Sequence, residues 1–143
     1  MKDCVRQILE EQGIPVWFGA DCHPMMDREN GAWATDLFEY GKVYGVDFDL
    51  NKEDRVRFAD SAMNHAMAFV GVDVAEDGTT TRRWRVENSW GDKIADKGYF
   101  TMSDDWFTEY VYEVSLPNIR PLLTSQPPCS PHGIRWALWL TDT

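Results

Sequence analysis

The residues whose types could do chemistry together lie in two short strings, Asn64-His65-Ala66-Met67 and Val86-Glu87-Asn88-Ser89-Trp90-Gly91. An imidazole changes charge near neutral pH, so His65 can take a proton from a nucleophile and return it to a leaving group. A side-chain amide such as that of Asn88 can accept from one ring nitrogen, which fixes the tautomer without adding charge and leaves the other nitrogen as the base. Trp90, two residues on, can cover such a hydrogen bond from solvent. The nucleophile this pair suits is a thiol, reactive as a thiolate beside an imidazolium. Taken singly, each residue has a plainer reading. A histidine among apolar neighbours is more often a packing residue, an Asn before Ser-Trp-Gly is equally often a turn former, and a tryptophan is usually core.

Two strands would have to position the pair. His65 to Val74 (HAMAFVGVDV) and Thr80 to Asn88 (TTRRWRVEN), joined by a turn at Glu76-Asp77-Gly78, read as a hairpin. A strand rises about 3.3 Å per residue, so the opening end of one antiparallel strand lies near the closing end of its partner. His65 and Asn88 are thus expected to face each other across the ladder. Gly98 to Met102 and Tyr110 to Leu116 read as two more strands, with a turn or short helix over Ser103 to Thr108 between them, and local connections imply an antiparallel sheet. Upstream, the apolar spacing of Val5, Ile8 and Leu9 predicts a helix from Cys4 to Gln12 stopped by Gly13. Val16 to Gly19 reads as a buried strand, and Ala20 to Leu50 mainly as loop. Asn51 reads as the N-cap of a helix whose buried face would be Val56, Phe58, Ala59, Ala62 and Met63.

The chain has 143 residues, 43% of them apolar and 13% aromatic, enough for one domain with a core. Its 24 acidic against 14 basic side chains leave a net charge of -10, which repels nucleic acid and anionic membranes, so neither is expected as a partner. No apolar run approaches the roughly 20 residues that span a bilayer, and the N-terminus lacks a signal-type apolar region, which makes the cytoplasm the expected compartment. Cys4, Cys22 and Cys129 are odd in number and lack metal-type spacing, which suits reduced thiols and argues for no metal and no cofactor.

What changes the weight of His65 and Asn88 is the joint occurrence of their motifs. VENSWG followed by GYF closely resembles the Asn region of papain-like cysteine peptidases. NHAMAFVGVD, RWRVENSWGD and KGYFTMSDDWFTEYVYEV are similar to the bleomycin hydrolase/aminopeptidase C branch in particular, as is VWFGAD near the start. The resemblance runs from about Gly13 to about Arg120. It implies an α+β, papain-like fold, of which this chain supplies the C-terminal half with an antiparallel, barrel-like sheet and flanking helices over residues 1–120. It further implies a cytosolic thiol aminopeptidase acting on peptides and related amides, assembled as a homohexamer. By that resemblance His65 and Asn88 match the catalytic His and Asn, and Trp90 covers them.

Two departures stand out. The family nucleophile lies in a Gln-x-x-x-Cys-Trp type segment about 130 to 150 residues before the His and Asn, and His65 stands too near the start for that, so the nucleophile is expected to precede Met1. The chain would then be a fragment, inactive alone, that acts with the missing N-terminal half. A competing reading is a catalytically dead remnant or binding subunit held by a full-length homologue, and a weaker one is a thiol enzyme built on Cys22. The second departure is the tail over residues 121–143. Family members end in a segment resembling Leu-Pro-Pro-Trp-Asp-Pro-Met-Gly-Ala-Leu-Ala. Codons permitted for Cys129 to Leu140, read one base earlier, encode that ending, so the tail reads as frameshifted. Finally, a half-fold would expose the face that packs on its other half, for which Trp17, Phe18, Trp33 and Phe38 are the expected residues.

Overall fold

A computed structural model of the chain describes residues 1–48 and 50–116. The aberrant tail expected over residues 121–143 lies outside the described residues. Helix α1 (Lys2–Gln12) turns Cys4, Val5 and Ile8 inward and ends at Gly13, whose φ of 63° is the left-handed C-terminal cap a glycine adopts without strain. Strand β1 (Val16–Ala20) follows, then β2 (Met26–Asp27), β3 (Ala32–Trp33), helix α2 (Tyr40–Tyr44), helix α3 (Lys52–Arg57), strands β4 (His65–Val74), β5 (Thr81–Glu87) and β6 (Tyr99–Ser103), helix α4 (Asp104–Tyr110) and strand β7 (Val111–Ser115). The strands form one seven-stranded sheet in the order β2-β3-β6-β5-β4-β1-β7.

Every pairing is antiparallel except β3 with β6, which is parallel and joins β3, with the edge strand β2 beyond it, to the rest of the sheet, where Thr101 N-H donates to Gly31 O at 2.8 Å. The α+β class with a largely antiparallel sheet and flanking helices is therefore what the chain builds, and the parallel β3-β6 pairing refines the wholly antiparallel expectation. Residues 20–50, expected mainly as loop, contain β2, β3 and α2, elements too short to announce themselves by periodicity.

One face of the sheet carries an aromatic core. Phe69 on β4 stacks on Phe18 of β1, with centroids 3.8 Å apart, and on Phe107 of α4 at 5.1 Å, while Trp33 stacks on Phe100 at 4.6 Å and meets Trp106 at 5.5 Å. Helices α1 and α4 cover this face through Val5, Ile8, Trp106 and Phe107. Phe18 and Trp33 are accordingly buried, at 2% and 1% exposure, which corrects their assignment to an exposed patch, whereas Trp17 and Phe38 are exposed at 61% and 42%. The reason is strand alternation, since neighbours along β1 point to opposite faces.

Helix α3 is capped as expected, Asn51 Oδ1 accepting from Asp54 N-H at 2.9 Å, but it buries no apolar face. Val56 and Phe58 are 50% and 68% exposed. Cations dock it instead. Lys52 Nζ donates to the carbonyls of Thr108 and Val111 at 2.8 and 2.6 Å, and Arg55 Nη2 reaches Glu109 O and Oε2 at 3.2 and 2.6 Å. The last carbonyls of α4 have no intrahelical partner and sit at the negative end of its dipole, so two cations are a sufficient anchor. Burial lowers the pKa of Lys52, the cost of that arrangement. Cys22 is a free, buried thiol.

Candidate active site

His65 is the first residue of β4 and pairs with Ala20 of β1. Because side chains alternate, His65 shares the inner face of β4 with Met67 and Phe69, and on β5 the buried Trp84 and Val86 put Asn88 on that same face. The last ladder pair is Ala68 with Glu87, so Asn88 lies one step beyond it, diagonal to His65. The backbone there is clasped by Asn88 N-H donating to Gly98 O at 3.1 Å. Gly98 has a φ of 89°, and a Cβ at that position would lie 3.1 Å from Gly91 O, so the clasp requires glycine.

His65 Nε2 and Asn88 Oδ1 are 2.8 Å apart. The backbone N-H of Ser89 also lies on that Asn88 oxygen, at 2.8 Å. A backbone N-H can only donate, so the shared atom is the amide oxygen, and His65 must donate to it through a protonated Nε2. Nδ1 is thereby left unprotonated in the neutral ring, as a base requires. Trp90 stacks on His65 with centroids 5.2 Å apart and planes 22° from parallel, and its own ring is met edge-on by Phe100 at 5.7 Å. The guanidinium of Arg28 lies 4.9 Å from the Trp90 centroid, a cation-π contact. Asn88 is 9% exposed, and its Nδ2 has no acceptor among the described residues.

All three residues singled out from the sequence, His65, Asn88 and Trp90, thus meet in one place. Three contributors were not singled out. Ser89 acts through its backbone, Gly98 through its lack of a side chain, and Arg28 from a distant loop, so none gives a side-chain signal in sequence. Cys22 does not join the site as a thiolate. It is 1% exposed, and burial, then the charge of Asp21, raise its pKa, which favours the protonated thiol. Among the described residues no group of three or more His, Cys, Asp or Glu side chains is placed to hold a metal, and no helix is long and apolar enough to cross a membrane.

A family model described as the Peptidase C1-like family matches residues 1–121. Aminopeptidase W of Lactobacillus delbrueckii subsp. lactis is 46% identical over 82% of this chain and 28% of its own length, and Aminopeptidase G of the same organism is 49% identical over 73% of this chain and 23% of its own. The crystal structure of PepW from Lactobacillus rhamnosis HN001 superposes with a TM-score of 0.75 at 40% identity, over 79% of this chain and 25% of that one. The chain therefore spans about a quarter of the length of the relatives it matches. On a match of that extent the chain belongs to the Peptidase C1-like family, in the bleomycin hydrolase and aminopeptidase C branch that its motifs resemble.

Proposed function

We propose that this chain is the base-bearing part of a cysteine-type aminopeptidase that removes N-terminal residues from peptides and related amides, with the thiol supplied by polypeptide outside this sequence. The observation that carries the reading is the His65 Nε2 to Asn88 Oδ1 hydrogen bond of 2.8 Å, with the amide oxygen identified by Ser89 N-H. His65 Nδ1 takes the thiol proton, and the thiolate attacks the scissile carbonyl carbon. As the tetrahedral adduct collapses, the C-N bond breaks and the leaving amine takes the proton back from Nδ1, leaving a thioester. Water then attacks the thioester, giving up a proton to Nδ1 and releasing the acid and the thiol. Asn88 holds the ring in the required tautomer and Trp90 shields the hydrogen bond. No cofactor enters this scheme. The partners are a peptide substrate, the missing N-terminal half and, in the complete enzyme, a cytoplasmic homohexamer.

A chimera in which residues 1–116 replace the matching part of Aminopeptidase W tests the reading. It should release 4-nitroaniline from aminoacyl anilides, whereas this chain by itself should not. His65→Ala should lower the chimera's turnover by about 10²- to 10⁴-fold, the range that general acid-base groups contribute. Turnover by this chain alone, or a chimera indifferent to His65→Ala, overturns the proposal. The burial of Cys22, the free thiol of the described residues, counts against a thiol enzyme built on it, and the competing reading is a catalytically dead remnant or binding subunit. That reading predicts stable association with a full-length homologue and a chimera without activity.

A further inference from the structure

Among the described residues Asp21 is the only charged side chain in the buried class, at 5% exposure, and no ion pair there reaches it. A buried carboxylate is costly unless its oxygens accept hydrogen bonds. Oδ2 accepts from Ser61 Oγ at 2.7 Å, and Ser61 Oγ also lies 2.6 Å from the Tyr112 hydroxyl on β7. Oδ1 accepts from Asn64 Nδ2 at 2.6 Å. The end of β1, the segment entering β4, and β7 therefore meet at this one side chain.

Asn64, though exposed, is tied by several hydrogen bonds. Besides Asp21, its Nδ2 lies 3.1 Å from His23 Nδ1, its Oδ1 accepts from Cys22 N-H at 3.0 Å, and its backbone N-H donates to Ala20 O at 3.1 Å. The next residue is His65. The segment before it, from Phe58 on, has no regular secondary structure, and Ala59 there has a φ of 57°. The ladder with β1 holds His65 from one side, and with nothing regular in the segment that enters β4, these bonds hold it from the other.

We infer that Asp21 is a positioning residue for His65, acting through Asn64 to hold the ring where Asn88 can select its tautomer. The inference rests on the reading of His65 as the base, because the tautomer matters only if Nδ1 must be free. Positioning at this level matters because small misplacements of a catalytic group cost large factors in rate.

The test is long-range nitrogen-15 correlation NMR of the three histidines, His23, His65 and His132, with His65 assigned from its loss in His65→Gln. The unmodified chain should show His65 almost wholly as the Nε2-H tautomer. Asn64→Ala removes the link at an exposed position and leaves Asp21 bonded to Ser61, so the fold should survive. It should shift the His65 tautomer ratio about fivefold toward Nδ1-H, the size that one hydrogen bond's net contribution supports. Asp21→Asn, nearly isosteric, should shift it in the same direction. Asp104→Ala, which breaks a hydrogen-bonded carboxylate elsewhere, serves as the control and should lower the melting temperature with the ratio unchanged. If Asn64→Ala and Asp21→Asn likewise lower the melting temperature and leave the ratio unchanged, the network is structural only and the inference fails. Because the ratio is read without turnover, that failure is distinguishable from failure of the catalytic proposal.

Discussion

At the scale of single residues, the geometry around Asn88 makes two substitutions informative. Gly98→Ala puts a Cβ 3.1 Å from Gly91 O at a φ of 89°, and Asn88 N-H donates to the carbonyl of that same Gly98. It should cost about 1–3 kcal/mol of stability, read in urea titrations, and lower the chimera's turnover further by displacing the amide. Cys22→Ser, by contrast, alters a buried free thiol and should leave the chimera's turnover unchanged within about twofold, because Cys22 meets Asn64 through its backbone N-H, which the substitution keeps. His65, Asn88 and Trp90 were legible because their two motifs occur together, in strings that resemble a known family, and because the hairpin register could be counted, whereas each residue alone reads as packing, turn or core. Ser89 and Gly98 were not, since a backbone donor and a missing Cβ look alike at every position.

At the scale of elements, β1 and β4 to β7 were readable as runs between turn signals and the hairpin from its turn, while β2 and β3 were not, and His65 and Asn88 fell near the ends where the ladder places them. Helix α3 was misjudged because its apolar residues suggested a buried face, while its anchor is two cations on the carbonyl end of α4, a contact between distant segments with no periodicity to betray it. Helix α4 has its own charged tie at the other end. Burial pushes the Asp104 carboxyl up, but hydrogen bonds from Lys2, Thr81 and Trp84 together outweigh it and leave the pKa lowered. A folded-state pKa below the unfolded one means that the ionised group stabilises above the unfolded value and that this stabilisation is lost as pH falls through the folded value. Asp104→Ala should therefore cost about 2 kcal/mol near neutrality, with the difference shrinking once the pH drops below the ordinary 3.8. Urea titrations of both proteins across that range measure it.

At the scale of the whole molecule, the exposed apolar surface is the feature to explain. Val43, Tyr44, Phe48 and Phe58 are 75%, 67%, 61% and 68% exposed, beside the 61% of Trp17. An apolar surface of this kind marks an interaction site or an aggregation liability. The chain by itself should self-associate with rising concentration in light-scattering chromatography, and Val43→Ser with Phe48→Ser should reduce it. That Phe18 and Trp33 were mistaken for part of this surface shows where sequence reading stops, because an aromatic side chain is equally at home on either face and only the register decides. The clasp between Asn88 and Gly98 carries a different kind of consequence. It closes the intervening segment at its base, and Asp92 and Lys93 at its tip are exposed. Extra residues inserted at that tip would lengthen a loop already sealed at the neck, so the chain can gain or lose length there, and acquire a new surface, without moving the amide that orients His65.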